Sequence, residues 1–266
     1  MNYGLQPLKK KTLLEIMKGK IDYSHSKTFG SIDPSTLPEE YILESTILNQ
    51  GFLPHCSSYS ACAVQESQHG IPFDPEDYYK AEGVINGAVQ DYGYDLRTLM
   101  ATGFKYGFRP LSGGNPDDYK EGNYFSIDGD LDTFDNIRTA LYMAKDQKKT
   151  AITGLMWYQE YLEAKNGIVD KNIEYKKETG LHAIKVAGFT TIDSVPYLVL
   201  QNSWGNGVGK NGLFYFSREI VNKELALGNF IWRTIDEEQQ RIRTQFRILV
   251  LLKRVLELLK DLFHIQ

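Results

Sequence analysis

Gln50 and Cys56 stand six positions apart in Asn49-Gln50-Gly51-Phe52-Leu53-Pro54-His55-Cys56-Ser57-Ser58-Tyr59. The order of groups suits acyl transfer. The thiol follows a polar, proline-containing turn and opens a stretch that reads as a helix. At a helix N-terminus the backbone dipoles favour a thiolate, and a side-chain amide just upstream can donate to an oxyanion. Such a nucleophile needs a general base within hydrogen-bond reach. Of five histidines, His25 falls in an N-terminal arm and His264 in a terminal helix. His69 lies at the far end of the helix opened by Cys56, roughly 20 Å away at the α-helical rise. His55 adjoins the thiol, where side chains seldom face each other. His182 remains, in Gly180-Leu181-His182-Ala183-Ile184-Lys185-Val186-Ala187-Gly188-Phe189. It begins a predicted strand, which can hold an imidazole rigidly. Downstream, Gln201-Asn202-Ser203-Trp204-Gly205 places an amide after a short apolar strand.

These groups require elements to position them. Helices are expected over 56–69, stopped by Gly70 and Pro72, then over 75–82, 95–106 and 132–145. The apolar spacing of Leu96, Leu99, Met100 and Phe104 supports the third. Strands are expected over 150–158, 182–189, 197–201 and 213–216. A helical first half and a mainly β second half imply an α+β chain of two lobes. Residues 1–36 read as a Lys-rich arm with a short helix near Leu13–Met17. Residues 37–235 form the main domain, with lobes of about 37–125 and 126–235. Residues 236–266 lack Gly and Pro, and Ile248, Leu252, Val255, Leu259 and Leu262 recur at helical steps. That segment predicts an amphipathic helix too interrupted by Lys253 and Arg254 to span a bilayer.

Composition narrows the function further. The 266 residues are 42% hydrophobic and 24% charged, with net charge −4. This fits a soluble globular protein with a full core, and gives no basic footprint for nucleic acid. Only Cys56 and Cys62 are present, with no CxxC. No disulfide framework is expected, and no metal site or other cofactor is indicated. Cys62 is expected in the core. Residues 1–20 carry no apolar run of signal-peptide length, so a cytoplasmic or virion-associated protein is expected.

The three blocks, in this order, resemble the papain family of cysteine peptidases over about residues 37–232. Gln50-Gly51 before Cys56 resembles the oxyanion glutamine and nucleophile. His182-Ala183, with a strand ending in Gly188-Phe189, resembles the His block, and Asn202-Ser203-Trp204-Gly205 the Asn block. His182 and Asn202 lie 126 and 146 residues beyond Cys56, against about 130–150 in the family. The resemblance implies a papain-like two-lobed fold, with a helical lobe and a β-barrel-like lobe, here extended by the C-terminal helix. It implies a peptidase that cleaves peptides or proteins through a thioester. Cys56 would be the nucleophile, His182 the base, Asn202 its orienter, and Gln50 the oxyanion donor. Gly93, in Asp91-Tyr92-Gly93-Tyr94, would pair with the substrate backbone. Tyr94, Leu181 and Trp204 would complete the substrate-binding face, with Trp204 shielding the His–Asn bond.

Departures are concentrated before and after the thiol. Ser57 stands where relatives carry Trp, Pro54-His55 replaces a Gly-Ser pair, and Leu53 stands at a disulfide cysteine. Val208-Gly209 replaces a second Trp-Gly. Pro54-His55 is where altered specificity is expected. The arm reads as a strap in preference to a pro-segment, and the terminal helix as a surface for self-association or a larger assembly. The alternative to a peptidase is a catalytically silent papain-like module docked through residues 236–266.

Overall fold

The computed structural model describes residues 32–88, 92–122, 124–127, 131–174, 176–225 and 228–232. The expected helix near Leu13–Met17 and the amphipathic helix over 236–266 lie outside them. In chain order the elements are β1 (Tyr41–Ile42), α1 (Cys56–His69), α2 (Pro75–Asn86), α3 (Leu96–Lys105), β2 (Tyr124–Ser126), α4 (Thr133–Met143), β3 (Ala151–Tyr158), α5 (Gln159–Leu162), β4 (Ile168–Val169), β5 (Glu178–Ile192), β6 (Val195–Gln201), β7 (Leu213–Ser217), α6 (Arg218–Glu224) and β8 (Asn229–Trp232).

Helix ends follow local chemistry. Asp74, Asp95 and Asp132 cap α2, α3 and α4 by accepting amides from the first turn, which satisfies donors that helix geometry leaves unpaired. Gly70 closes α1 in the left-handed region, with φ of 72°, a conformation open to glycine at little cost. At its start α1 differs from those three helices. Its N-cap is His55, whose side chain makes no capping bond. The first-turn amides of α1 therefore stay available to the thiol of Cys56.

The strands build one sheet in the order β2-β8-β3-β5-β6-β7-β4, with β1 also paired to β5. It is open, which corrects the expected barrel-like lobe. Its terminal strands β2 and β4 have only three and two residues, too little edge to pair across a closure. Strand β5 is the organising element. It runs from Glu178 to Ile192, so His182 sits within it and not at its start. Side chains alternate across the sheet. Ala183 faces a core shared with Cys56, Leu99 and Met100, whereas Ile184 faces a core with Phe134, Leu141 and Trp157. β1 crosses β5 at Gly188, where an added Cβ would lie 1.9 Å from the Tyr41 carbonyl oxygen. Glycine alone lets those strands approach.

Candidate active site

Helix α1 and strand β5 meet through Ala183. Its N–H donates to Cys56 Sγ at 3.3 Å, and its carbonyl accepts from Ser60 Oγ at 2.8 Å. Cys56 and Ser60 are one helical turn apart and share a face. Together they hold both peptide groups of the residue next to His182, which brings the thiol to the histidine strand.

On the other side, His182 Nε2 lies 2.9 Å from Asn202 Oδ1. The Ser203 N–H donates to the same oxygen at 2.7 Å. A backbone N–H can only donate, so that Asn202 atom is the carbonyl oxygen, and His182 Nε2 must carry the proton facing it. In the neutral ring, Nδ1 is then the basic nitrogen. The ring is held by aromatics. Trp204 stacks on it with centroids 4.5 Å apart, and Trp157 meets it edge-on at 5.3 Å. Trp157 also packs edge-on to Trp204 and Phe214.

Gln50 is fixed from three directions. Its N–H donates to the Ser203 carbonyl at 2.8 Å. Ser203 Oγ donates to Gln50 Oε1 at 2.6 Å, and Gln50 Nε2 donates to the Leu53 carbonyl at 2.7 Å. One hydrogen of the Nε2 amide is left uncommitted among the described residues. The loop also bridges Asn49 to Trp204. Its turn needs a left-handed residue at Gly51, with φ of 60°, whose N–H reaches Asn49 Oδ1 at 3.0 Å. The amide and asparagine blocks, far apart in sequence, are thus one hydrogen-bonded unit.

Electrostatics at the pair are governed by burial. Cys56 and His182 are both fully buried. Burial pushes the Cys56 thiol up to about 12, against the lowering effect of amide bonds from Ala183, Ser57 and its own N–H. Burial likewise pushes His182 down to about 4, although its bond to Asn202 favours the charged ring. The helix N-terminus alone therefore does not ionise this thiol. Each group resists a lone charge, and the two ionise most readily together, as a neutralising pair.

These contacts link Cys56, His182, Asn202, Gln50 and Trp204, and Leu181 packs against the core cluster that contains Ala183 and Cys56. The other two expected binding residues are both buried against Tyr79, which itself stacks on His55. Tyr94 is 1% exposed, its ring packed on Tyr79 and its hydroxyl directed to the Ala88 carbonyl, so it is a core residue and not a cleft wall. Gly93 is buried, and its N–H donates to Tyr79 Oη at 3.1 Å. A substrate strand would find that donor already engaged. Pro54-His55 also has a defined environment. His55 stacks on Tyr79 at 3.6 Å and places Nδ1 3.1 Å from Glu76 Oε1. Cys62 lies in the core. The sequence reading assigned no role to Ser60, Ser203 or Trp157. Ser203 lay within a quoted block, but its bond spans 153 positions, beyond any local pattern.

A profile described as papain family cysteine protease matches residues 47–229. The chain belongs to the papain family of cysteine proteases. Curated relatives agree at low identity. An uncharacterized peptidase C1-like protein of Acanthamoeba polyphaga mimivirus is 26% identical over 216 residues, 69% of this chain and 68% of that protein. A cysteine protease of Blomia tropicalis is 22% identical over 77% of this chain and 66% of its own. A viral cathepsin of Epiphyas postvittana nucleopolyhedrovirus is 24% identical over 68% of this chain and 60% of its own. The chain therefore spans about two thirds of the length of these relatives. Among solved structures, xylellain, a cysteine protease from Xylella fastidiosa, superposes with a TM-score of 0.67 at 17% identity, covering 88% of this chain and 96% of that one. That likeness establishes the papain-like α+β fold. Among the described residues, no helix of this papain-family chain is long and apolar enough to cross a membrane.

Proposed function

We propose that this chain hydrolyses peptide bonds of peptides or proteins with Cys56 as nucleophile and His182 as base. One observation supports the reading: the thiol of Cys56 accepts from the N–H of Ala183, the residue after His182, while His182 Nε2 lies at Asn202 Oδ1. His182 Nδ1 takes the thiol proton as Sγ attacks the scissile carbonyl carbon, so the opposite charges arise together. The carbonyl oxygen becomes an oxyanion, facing the free hydrogen of Gln50 Nε2 and the Cys56 N–H. Collapse breaks the C–N bond, and the imidazolium gives its proton to the leaving amine. Water then attacks the thioester with His182 again as base, and breaking the C–S bond returns the thiol. Trp157 and Trp204 keep water from the His182–Asn202 bond. Leu181 and Trp204 are the binding-face residues this reading retains.

The test is cleavage of a peptide library, read by mass spectrometry, for the wild type and Cys56→Ala. Cleavage by the wild type and loss of at least about 10⁴-fold in the variant are expected, as for removal of other nucleophiles. Cleavage by neither would instead favour the silent binding module, and equal cleavage by both would remove Cys56 from the role of nucleophile.

A further inference from the structure

The side chains of Ser57 and Glu82 have no part in the chemistry above, yet they sit directly behind the nucleophile. Both are fully buried. Glu82 projects from α2 to the first turn of α1, where its Oε2 lies 2.9 Å from Ser57 Oγ. Its second oxygen, Oε1, has no hydrogen-bond partner among the described residues. The groups facing it are Cys56 and Cys62 from α1, Tyr78 and Tyr79 from its own helix, and Asp95 at the start of α3. None is a cation. Asp95 adds negative charge, and its carboxylate is already committed to the amides of Arg97 and Thr98.

A lone carboxylate in such a place has lost its hydration and gained no counter-charge, so the acid form is strongly favoured. Burial accordingly holds Glu82 well above the usual carboxylate range. A carboxylate here would also oppose the thiolate, since Glu82 is a like charge that raises Cys56.

We propose that Glu82 is carried as the neutral carboxylic acid, that it positions the nucleophile through its hydrogen bond with Ser57, and that its ionisation suppresses thiolate formation at Cys56. The proposal rests on Cys56 being the nucleophile. The Ser57 hydroxyl donates to Glu82 Oε2, a hydrogen-bonded bridge between α1 and α2. That bridge fixes the first turn of α1 without adding charge beside the thiol. When the acid loses its proton as the pH rises, a second negative charge enters the same buried contact, and proton transfer from Cys56 to His182 becomes unfavourable. Glu82 is thus a positioning residue that sets the upper pH bound of the reaction. The polar pair occupies the position where the family resemblance leads one to expect Trp after the nucleophile.

The pH profile of kcat/KM separates this from a purely structural role. Glu82→Gln keeps the size, the bond to Ser57 and the neutrality. It is expected to retain wild-type kcat/KM at neutral pH within about threefold, and to lose one ionisation from the alkaline limb. Ser57→Ala, which removes the bridge, is expected to lower kcat by about tenfold with KM unchanged, the loss of one buried hydrogen bond. Superimposable alkaline limbs for the wild type and Glu82→Gln would overturn the proposal. So would an acid limb moved to lower pH in Glu82→Gln, because it would mean that the wild type carries a carboxylate. Infrared spectroscopy of the wild type alone decides the matter if that variant does not fold. A protonated-carboxyl carbonyl band should be present at neutral pH and disappear with the same midpoint as the alkaline fall in activity. Absence of the band, or a separate midpoint, contradicts the proposal. If no peptide is cleaved at any pH, the peptidase reading fails and the thiolate part falls with it. The infrared band still reports the state of Glu82.

Discussion

The two walls of the site are built from different materials. On the β5 side, His182 is gripped by Trp204 and Trp157 and by one amide, Asn202. On the α1 side, the helix turn that carries the thiol is backed by the Ser57–Glu82 pair, with His55, Tyr79 and Glu76 at its start. The base is held by apolar packing, whose energy varies little with pH. The turn that carries the thiol is backed by a polar, titratable pair, Ser57 and Glu82, whose charge state can change. The contrast teaches that orientation of the base and ionisation of the nucleophile are separately controlled. Mutations on the two sides should therefore differ in kind as well as in size.

Trp157→Ala strikes the packed side hardest. The ring is fully buried and touches His182, Trp204 and Phe214. Removing it should cost about 3–5 kcal/mol of stability, read by urea unfolding, and the pH profile of the remaining activity should keep its shape. A shifted profile with unchanged stability would erase the proposed contrast.

The next effect lies where the lobes join. Lys185 is fully buried, with Nζ donating to Ser45 Oγ at 3.1 Å and Gln201 Oε1 at 2.9 Å. Burial pushes its ammonium down to about 7, although Glu66 and Glu44 oppose the shift. An unfolded chain keeps that proton up to about 10.4. Between these values the unfolded state binds more protons, so stability rises with pH, and the full penalty applies below about 7. From pH 7 to 10 the wild type should gain up to about 4 kcal/mol relative to Lys185→Met, at 1.36 kcal/mol per pH unit. Parallel stability curves for the two proteins would show that Lys185 is not desolvated as the structure implies.

The smaller effects sharpen the link between the walls. Gln50→Ala should raise the barrier behind kcat by about 3 kcal/mol, the usual value of one oxyanion donor. Ser203→Ala frees only the Gln50 carbonyl oxygen and should cost about 1 kcal/mol. An equal loss from both would mean that Gln50 acts by bracing the loop and not by its amide hydrogen.

Much of this architecture was legible in the residues. Helix α1 starts and stops where the sequence marks it, because Pro54 and Gly70 are local signals. The order of the Gln50–Cys56, His182 and Asn202 blocks pointed to the family before any geometry. Strands of two to four residues, such as β1, β2, β4 and β8, are too short to show periodicity. Lys185 and Glu82 have the composition of surface residues, and only long-range packing buries them. Tyr94 shows the converse: its place in a motif suggested contact with substrate, yet packing on Tyr79 takes it into the core. The partner of Ser203 and the second aromatic on His182 come from distant chain segments, which no local pattern connects.

The central claim is that one of two buried thiols is made reactive by its imidazole. It is tested most directly by treating the protein with a peptidyl epoxide and locating the modified cysteine by mass spectrometry. Cys56 should be labelled and Cys62 left intact, with labelling lost in His182→Ala. Labelling of both thiols at similar rates, or undiminished labelling of Cys56 without His182, would contradict the account.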